Sequence, residues 1–153
     1  MSTSTTDSNS DGRLEMVDKL IATLDEEYEA LQTLSTCFQE QLSILHQQHL
    51  DGLEDATLKT SDAVSHLDRL TQARTRQMRL VGRMLDVEGT LDLGAVAAAI
   101  DALDEDSSRA EQLRTIRQRM RTEAAAVQQQ SDELRYALQY AADLGREMIA
   151  FLR

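Results

Sequence analysis

The chain has 153 residues, with 27 acidic against 16 basic side chains for a net charge of −11, no proline, six glycines and one cysteine. That length suits one domain rather than two, the acidity disfavours a phosphate-backbone partner, so that no nucleic acid is expected, and a lone Cys37 excludes an internal disulfide and fits a reducing, cytoplasmic setting. The only aromatic residues are Tyr28, Phe38, Tyr136, Tyr140 and Phe151, so little in the chain breaks a helix and little fills a thick globular core.

Residues 1–12 are almost entirely Ser, Thr, Asp, Asn and Gly, too polar to offset the entropy of ordering, and read as a disordered tail. From there a single helical domain is expected over 13–153. Its first helix, about 13–50, has a seam at alternating steps of three and four: Leu14, Val17, Ile21, Leu24, Tyr28, Leu31, Ser35, Phe38, Leu42, Leu45 and His49. All but Ser35 and His49 are apolar, the pattern of coiled-coil-like packing. Asp51 and Gly52 break it, and Asp51 with Glu54 resembles a capping box for a second helix, about 53–87. So tight a turn predicts antiparallel neighbours. The second helix has a patchier stripe of Leu53, Ala56, Val64, Leu67, Leu70, Met78, Val81 and Leu85.

Gly82, Gly89 and Gly94 loosen the next region. A short connecting helix, about 91–103, places Leu93, Val96, Ile100 and Leu103 on one side, with Thr90 as its expected cap. The run "DEDSS" marks a turn, Ser108 and Glu111 form a second capping box, and Leu113, Ile116, Met120, Val127, Leu134, Leu138, Ala141, Met148 and Leu152 fall on heptad positions of a last helix, 108–152. The expected fold is therefore all-α: an elongated antiparallel helical hairpin or bundle of three long helices with coiled-coil-like packing and one short connecting helix. No stretch reaches the roughly 18 apolar residues of a membrane span, and no basic region followed by an apolar run opens the chain, so no membrane insertion is expected.

Charge is unevenly spread. Residues 1–55 hold Arg13 and Lys19 as their only Lys or Arg, whereas arginines gather at 69, 74, 76, 79 and 83 and again at 109, 114, 117, 119 and 121. Such segments favour an acidic first helix lying beside basic later ones, although solvated faces without pairing fit equally well.

Catalytic chemistry finds little support. His46 and His49 stand three apart on one helical face, with His66 on the next helix as a third metal ligand, but no His-Glu-x-x-His pattern accompanies them and they flank a turn where polar residues are ordinary. Cys37 has no histidine within helical reach to make it a thiolate. The carboxylates of "DEEYE" read as a solvated run on an exposed face, and Gly-rich phosphate loops are missing. No enzyme, metal or cofactor is expected.

The last twenty residues, "LRYALQYAADLGREMIAFLR", hold three of the aromatics. As a helix they carry two overlapping apolar stripes: Leu134, Leu138, Ala141, Met148 and Leu152 on the heptad seam, and Ala137, Tyr140, Leu144 and Phe151 alongside. A helix that only joined its own bundle needs one stripe. The wider surface suits a helix that packs on its own hairpin and also meets an amphipathic helix of another protein, unless both stripes are buried within the chain or in a homodimer.

Over roughly residues 14–152 this layout resembles the FlgN family of flagellar type III export chaperones. The turn after the first helix matches the family's Gly and Asp in reversed order with Asp51 and Gly52. Arg76 or Arg79 with Gly82 matches its arginine before a terminal glycine, and Leu138, Gln139, Tyr140 and Leu144 match the Leu-x-Tyr step of its final helix. Where members often carry asparagines, this chain reads "VQQQSDEL", with Gln130 as the comparable amide.

The resemblance implies a small cytoplasmic chaperone that binds hook-filament junction (hook-associated) proteins through their terminal amphipathic helices, keeps them from premature assembly and delivers them to export apparatus components. It also implies client contacts on the last helix, for which Leu134, Leu138, Tyr140, Leu144, Met148 and Phe151 are the candidates. The competing readings are a coiled-coil scaffold or homo-oligomeric interaction protein without an export client, and a metal-dependent bundle using the three histidines.

Overall fold

The computed structural model describes residues 3–47, 50–103 and 107–152. Among them there are four helices and no strand: α1 (Thr3–His46), α2 (Leu53–Met84), α3 (Leu93–Leu103) and α4 (Ser108–Leu152). The fold is all-α, with bundle-like packing between helices. α1 starts ten residues ahead of the expected position 13, within the stretch read as a disordered tail. Once a helix exists, each added residue forms a bond without a new nucleus, and even poor helix formers cost only tenths of a kcal/mol, so the seam's first residue does not mark the helix start.

The chain expected as one domain over 13–153 comprises two compact units, Met1–Glu29 with Leu67–Arg121, and Ala30–His66 with Thr122–Arg153. The first unit has an aliphatic core with one short stripe from each helix: Val17, Leu20 and Leu24 of α1, Met78 and Val81 of α2, Val96, Ala97 and Ile100 of α3, and Ala110, Leu113 and Ile116 of α4. Spacings of three and four put each set on one face, so each helix buries one side. Every fully buried Leu, Ile or Val here contributes about 1.5–3 kcal/mol.

Acidic α1 does meet basic later helices in this unit. Arg109 Nε donates to Asp18 Oδ1 at 2.8 Å, and Arg74 Nε donates to Glu27 Oε2 at 2.8 Å and Oε1 at 3.1 Å, with Thr71 Oγ1 adding a bond to Oε1 at 3.2 Å. Glu27 belongs to the "DEEYE" run read as exposed, yet it is 4% exposed. Its position three residues beyond Leu24 turns it toward α2, where Arg74 compensates its charge.

In the second unit, Leu31, Leu34 and Phe38 of α1 are buried with Ala56 of α2 and Leu134 of α4. A polar network crosses between the first two helices: Gln41 Nε2 donates to Thr57 Oγ1 and Thr60 Oγ1 donates to Gln41 Oε1, both at 3.0 Å. Thr60 therefore takes an inward place that the apolar stripe assigned to Val64, which is exposed.

The helix ends use other residues than the capping patterns suggest. α2 begins with a bond from Ala56 N–H to the Gly52 carbonyl at 2.9 Å, so Gly52 and not Asp51 is the cap residue, at φ +85°, where a Cβ is disfavoured. α3 is capped by Asp92 rather than Thr90: its Oδ1 accepts from Ala95 N–H at 2.8 Å and its carbonyl from Val96 N–H at 3.1 Å. α2 closes three residues before the expected 87 in a Schellman arrangement, with Val87 N–H on the Gly82 carbonyl, Asp86 N–H on the Arg83 carbonyl, and Asp86 at φ +51°. Among the described residues no helix is long and apolar enough to cross a membrane.

Candidate protein-docking surface

α4 runs for 45 residues from Ser108, its first helical bond joining Glu111 N–H to the Ser107 carbonyl at 3.0 Å. Along the part that belongs to the second unit, burial ends abruptly. Leu134 is 7% exposed and Ala137 is half-buried, but every residue from Leu138 to Leu152 is exposed. At about 1.5 Å per residue that leaves roughly 22 Å of helix burying none of its own side chains.

Its surface is sharply two-sided. At about 100° per residue, Tyr140, Phe151, Leu144, Met148, Ala141, Leu152, Leu138 and Ile149 succeed one another around about 180° of the helix. Arg146, Gln139, Asp143 and Glu147 occupy the other half. There Gln139 Nε2 donates to Asp143 Oδ1 at 3.0 Å and Arg146 to the same oxygen at 2.7 Å, so the polar half spends its hydrogen bonds on itself. The apolar half offers carbon surface, the Met148 thioether and the Tyr140 hydroxyl.

Of the six residues expected to contact a client, five lie on this apolar half with substantial exposure: Leu138 43%, Tyr140 71%, Leu144 47%, Met148 53% and Phe151 83%. Leu134 stands apart, inside the unit. The division of labour between the two stripes also differs from expectation. Ala141, Met148 and Leu152, assigned by their heptad spacing to the chain's own bundle, are as exposed as the stripe beside them. Heptad spacing reports that a face is apolar, not that another helix reaches it, and here α1 closes at His46 while α4 continues. Ile149, 59% exposed, escaped both stripes because it lies at the edge of the arc, where only a full angular projection finds it.

The metal reading finds no assembly. His46 and His66 are exposed on α1 and α2, His49 lies outside the described residues, and among the described residues no group of three or more His, Cys, Asp or Glu side chains is placed to hold a metal ion. Cys37 is buried beside the apolar residues of α1.

Set beside known proteins, the chain has no significant match to a curated protein or to a solved structure. A family described as FlgN protein matches residues 16–153, from the first core turn of α1 through the exposed end of α4. That match spans nearly the whole chain and all four helices, and the chain belongs to the FlgN family of flagellar export chaperones.

Proposed function

We propose that this protein is a cytoplasmic chaperone for hook-filament junction (hook-associated) proteins, and that Leu138, Tyr140, Leu144, Met148 and Phe151 of α4 receive a terminal amphipathic helix of the client. Leu134 anchors that segment to the second unit. The observation that carries the proposal is the apolar half of α4 beyond Ala137, exposed over its whole length. An amphipathic client helix has the complementary stripe, and covering it removes the surface through which it would assemble prematurely.

The size of the surface suits delivery. Half the circumference of a helix, taken over roughly 22 Å, is about 400 Å², half of what one partner contributes to a standard stable interface. Binding of this extent masks the client without fixing it, and handover to export apparatus components follows by competition for the client helix. The same apolar arc also suits pairing with a second copy of the chain, so the test separates the two.

Truncation after Ala137 is expected to abolish binding of a purified hook-filament junction protein in a calorimetric titration, while the truncated chain retains the cooperative melting of the full one. Light scattering on the full chain is expected to give a monomer. Full client binding by the truncated chain overturns the proposal, and so does a stable dimer that truncation dissolves and that excludes the client.

A further inference from the structure

A second surface is unusual for a chain of net charge −11. Arg69, Arg76, Arg79 and Arg83 are all exposed on α2 and fall within about 80° of one another around the helix, a stripe roughly 21 Å long. The inward side of the same segment is set by Arg74, Met78 and Val81, which point to Glu27 and the core from the opposite direction. The stripe is thus the outermost face of α2. Asp68, at its edge, accepts from Gln72 Nε2 at 3.0 Å, and Asp86 and Glu88 line a pocket with Arg79 and Arg83 at its C-terminal end.

Four arginines elsewhere in the chain, Arg74, Arg109, Arg114 and Arg146, each hold a carboxylate. Arg69, Arg76, Arg79 and Arg83 have no hydrogen bond or ion pair among the described residues. Like charges three and four apart, as at Arg76, Arg79 and Arg83, oppose helix formation slightly.

We propose that this stripe is a second docking surface, for an acidic amphipathic helix of another protein. The spacing selects that partner. Arg69, Arg76 and Arg83 recur every seven residues, about 10.5 Å, the repeat with which a helix packed alongside presents its own side chains. A nucleic acid or a lipid surface has no such repeat. Leu80, 46% exposed at the border of the stripe, supplies an apolar contact beside the charges. A partner helix with glutamates seven apart and leucine between them answers both features. The stripe belongs to the first unit and the apolar arc of α4 to the second.

The test uses the full chain and a labelled synthetic 28-residue helical peptide with glutamate on one heptad position and leucine on the neighbouring one. Anisotropy titrations at low and moderate salt are expected to show saturable, salt-weakened binding that a glutamine version of the peptide lacks. The R69Q/R76Q/R83Q variant is expected to bind about tenfold more weakly, a few-fold for each exposed pair. These positions face solvent, so the variant keeps its melting temperature, and truncation after Ala137 leaves peptide binding intact. No binding of the peptide, equal binding by the variant or by the glutamine peptide, or arginine-dependent capture of phosphatidylserine vesicles or duplex DNA in place of the peptide each overturns the proposal.

Discussion

Leucine-to-alanine substitutions at Leu134 and Leu144 put the same chemical change on one helix in two environments, 7% and 47% exposed. At Leu134 the lost side chain leaves a gap among buried neighbours, and a large-to-small change of that kind costs about 2–3 kcal/mol, the lower part of the core range because the unit is thin there. At Leu144 nearly half of the side chain is already in water, so the same deletion costs about 1 kcal/mol. In a chain of this size those values translate into roughly 5–10 °C and about 2–4 °C of melting temperature.

Client affinity is expected to respond in the opposite order. L144A removes part of the contact surface and weakens binding at least about fivefold, in the range of a substantial interface residue. L134A, measured well below its melting point, keeps wild-type affinity. Urea denaturation followed by circular dichroism gives the first quantity and calorimetric titration with a hook-filament junction protein gives the second. Equal destabilisation by the two substitutions would show that residue 144 packs within the chain, and a greater loss of affinity in L134A than in L144A would refute the placement of the client surface.

Substituting Arg74 with alanine strands the buried Glu27 carboxylate with only the Thr71 hydroxyl, and is expected to cost about 2–4 kcal/mol in urea denaturation, slightly below a wholly buried pair because Arg74 is a third exposed. The double change E27L/R74M removes both charges and is expected to recover most of that loss; a double variant no more stable than R74A contradicts the account. Asp86→Gly relieves a left-handed backbone at the end of α2 and is expected to stabilise by about 1 kcal/mol, raising the melting temperature by roughly 2–4 °C in a calorimetric scan. An unchanged or lower melting temperature would show that the Asp86 side chain contributes more than its backbone conformation costs.

Helices were the most legible feature of this sequence. The three-four spacing from Leu14 onward marks α1, and Val17 and Leu24 are fully buried as the seam predicts. The seam underestimates the width of the buried face, since Leu20, Leu34 and Gln41 are buried too; a helix that touches more than one neighbour in its unit buries more than one row. Caps were displaced by one or two residues, at Gly52, Asp92 and Ser107, because several residues near each end can take the cap position and only backbone geometry chooses among them. The burial of Glu27 was hidden because a carboxylate turns inward only when a distant arginine meets it, and Arg74 is 47 residues away. At the docking surface the apolar arc was readable residue by residue. Its exposure was not, since exposure depends on where the other helices stop.

The two units share a property of chain order. Neither is a continuous stretch of sequence: the first joins Met1–Glu29 to Leu67–Arg121, and its Asp18–Arg109 contact links residues 91 apart. On a ribosome that builds from the N-terminus, α1 and the first part of α2 emerge long before the partners that bury Val17, Leu20 and Leu24 exist. The hairpin of the second unit, closed by the Gly52 turn and the Gln41 contacts with Thr57 and Thr60, is the element whose partners are adjacent in sequence, so it forms first and cheaply. The core of the first unit must wait for α4. The far end of α4 is made after the segments that support it, so the apolar arc proposed to receive a client emerges only once the rest of its unit can fold.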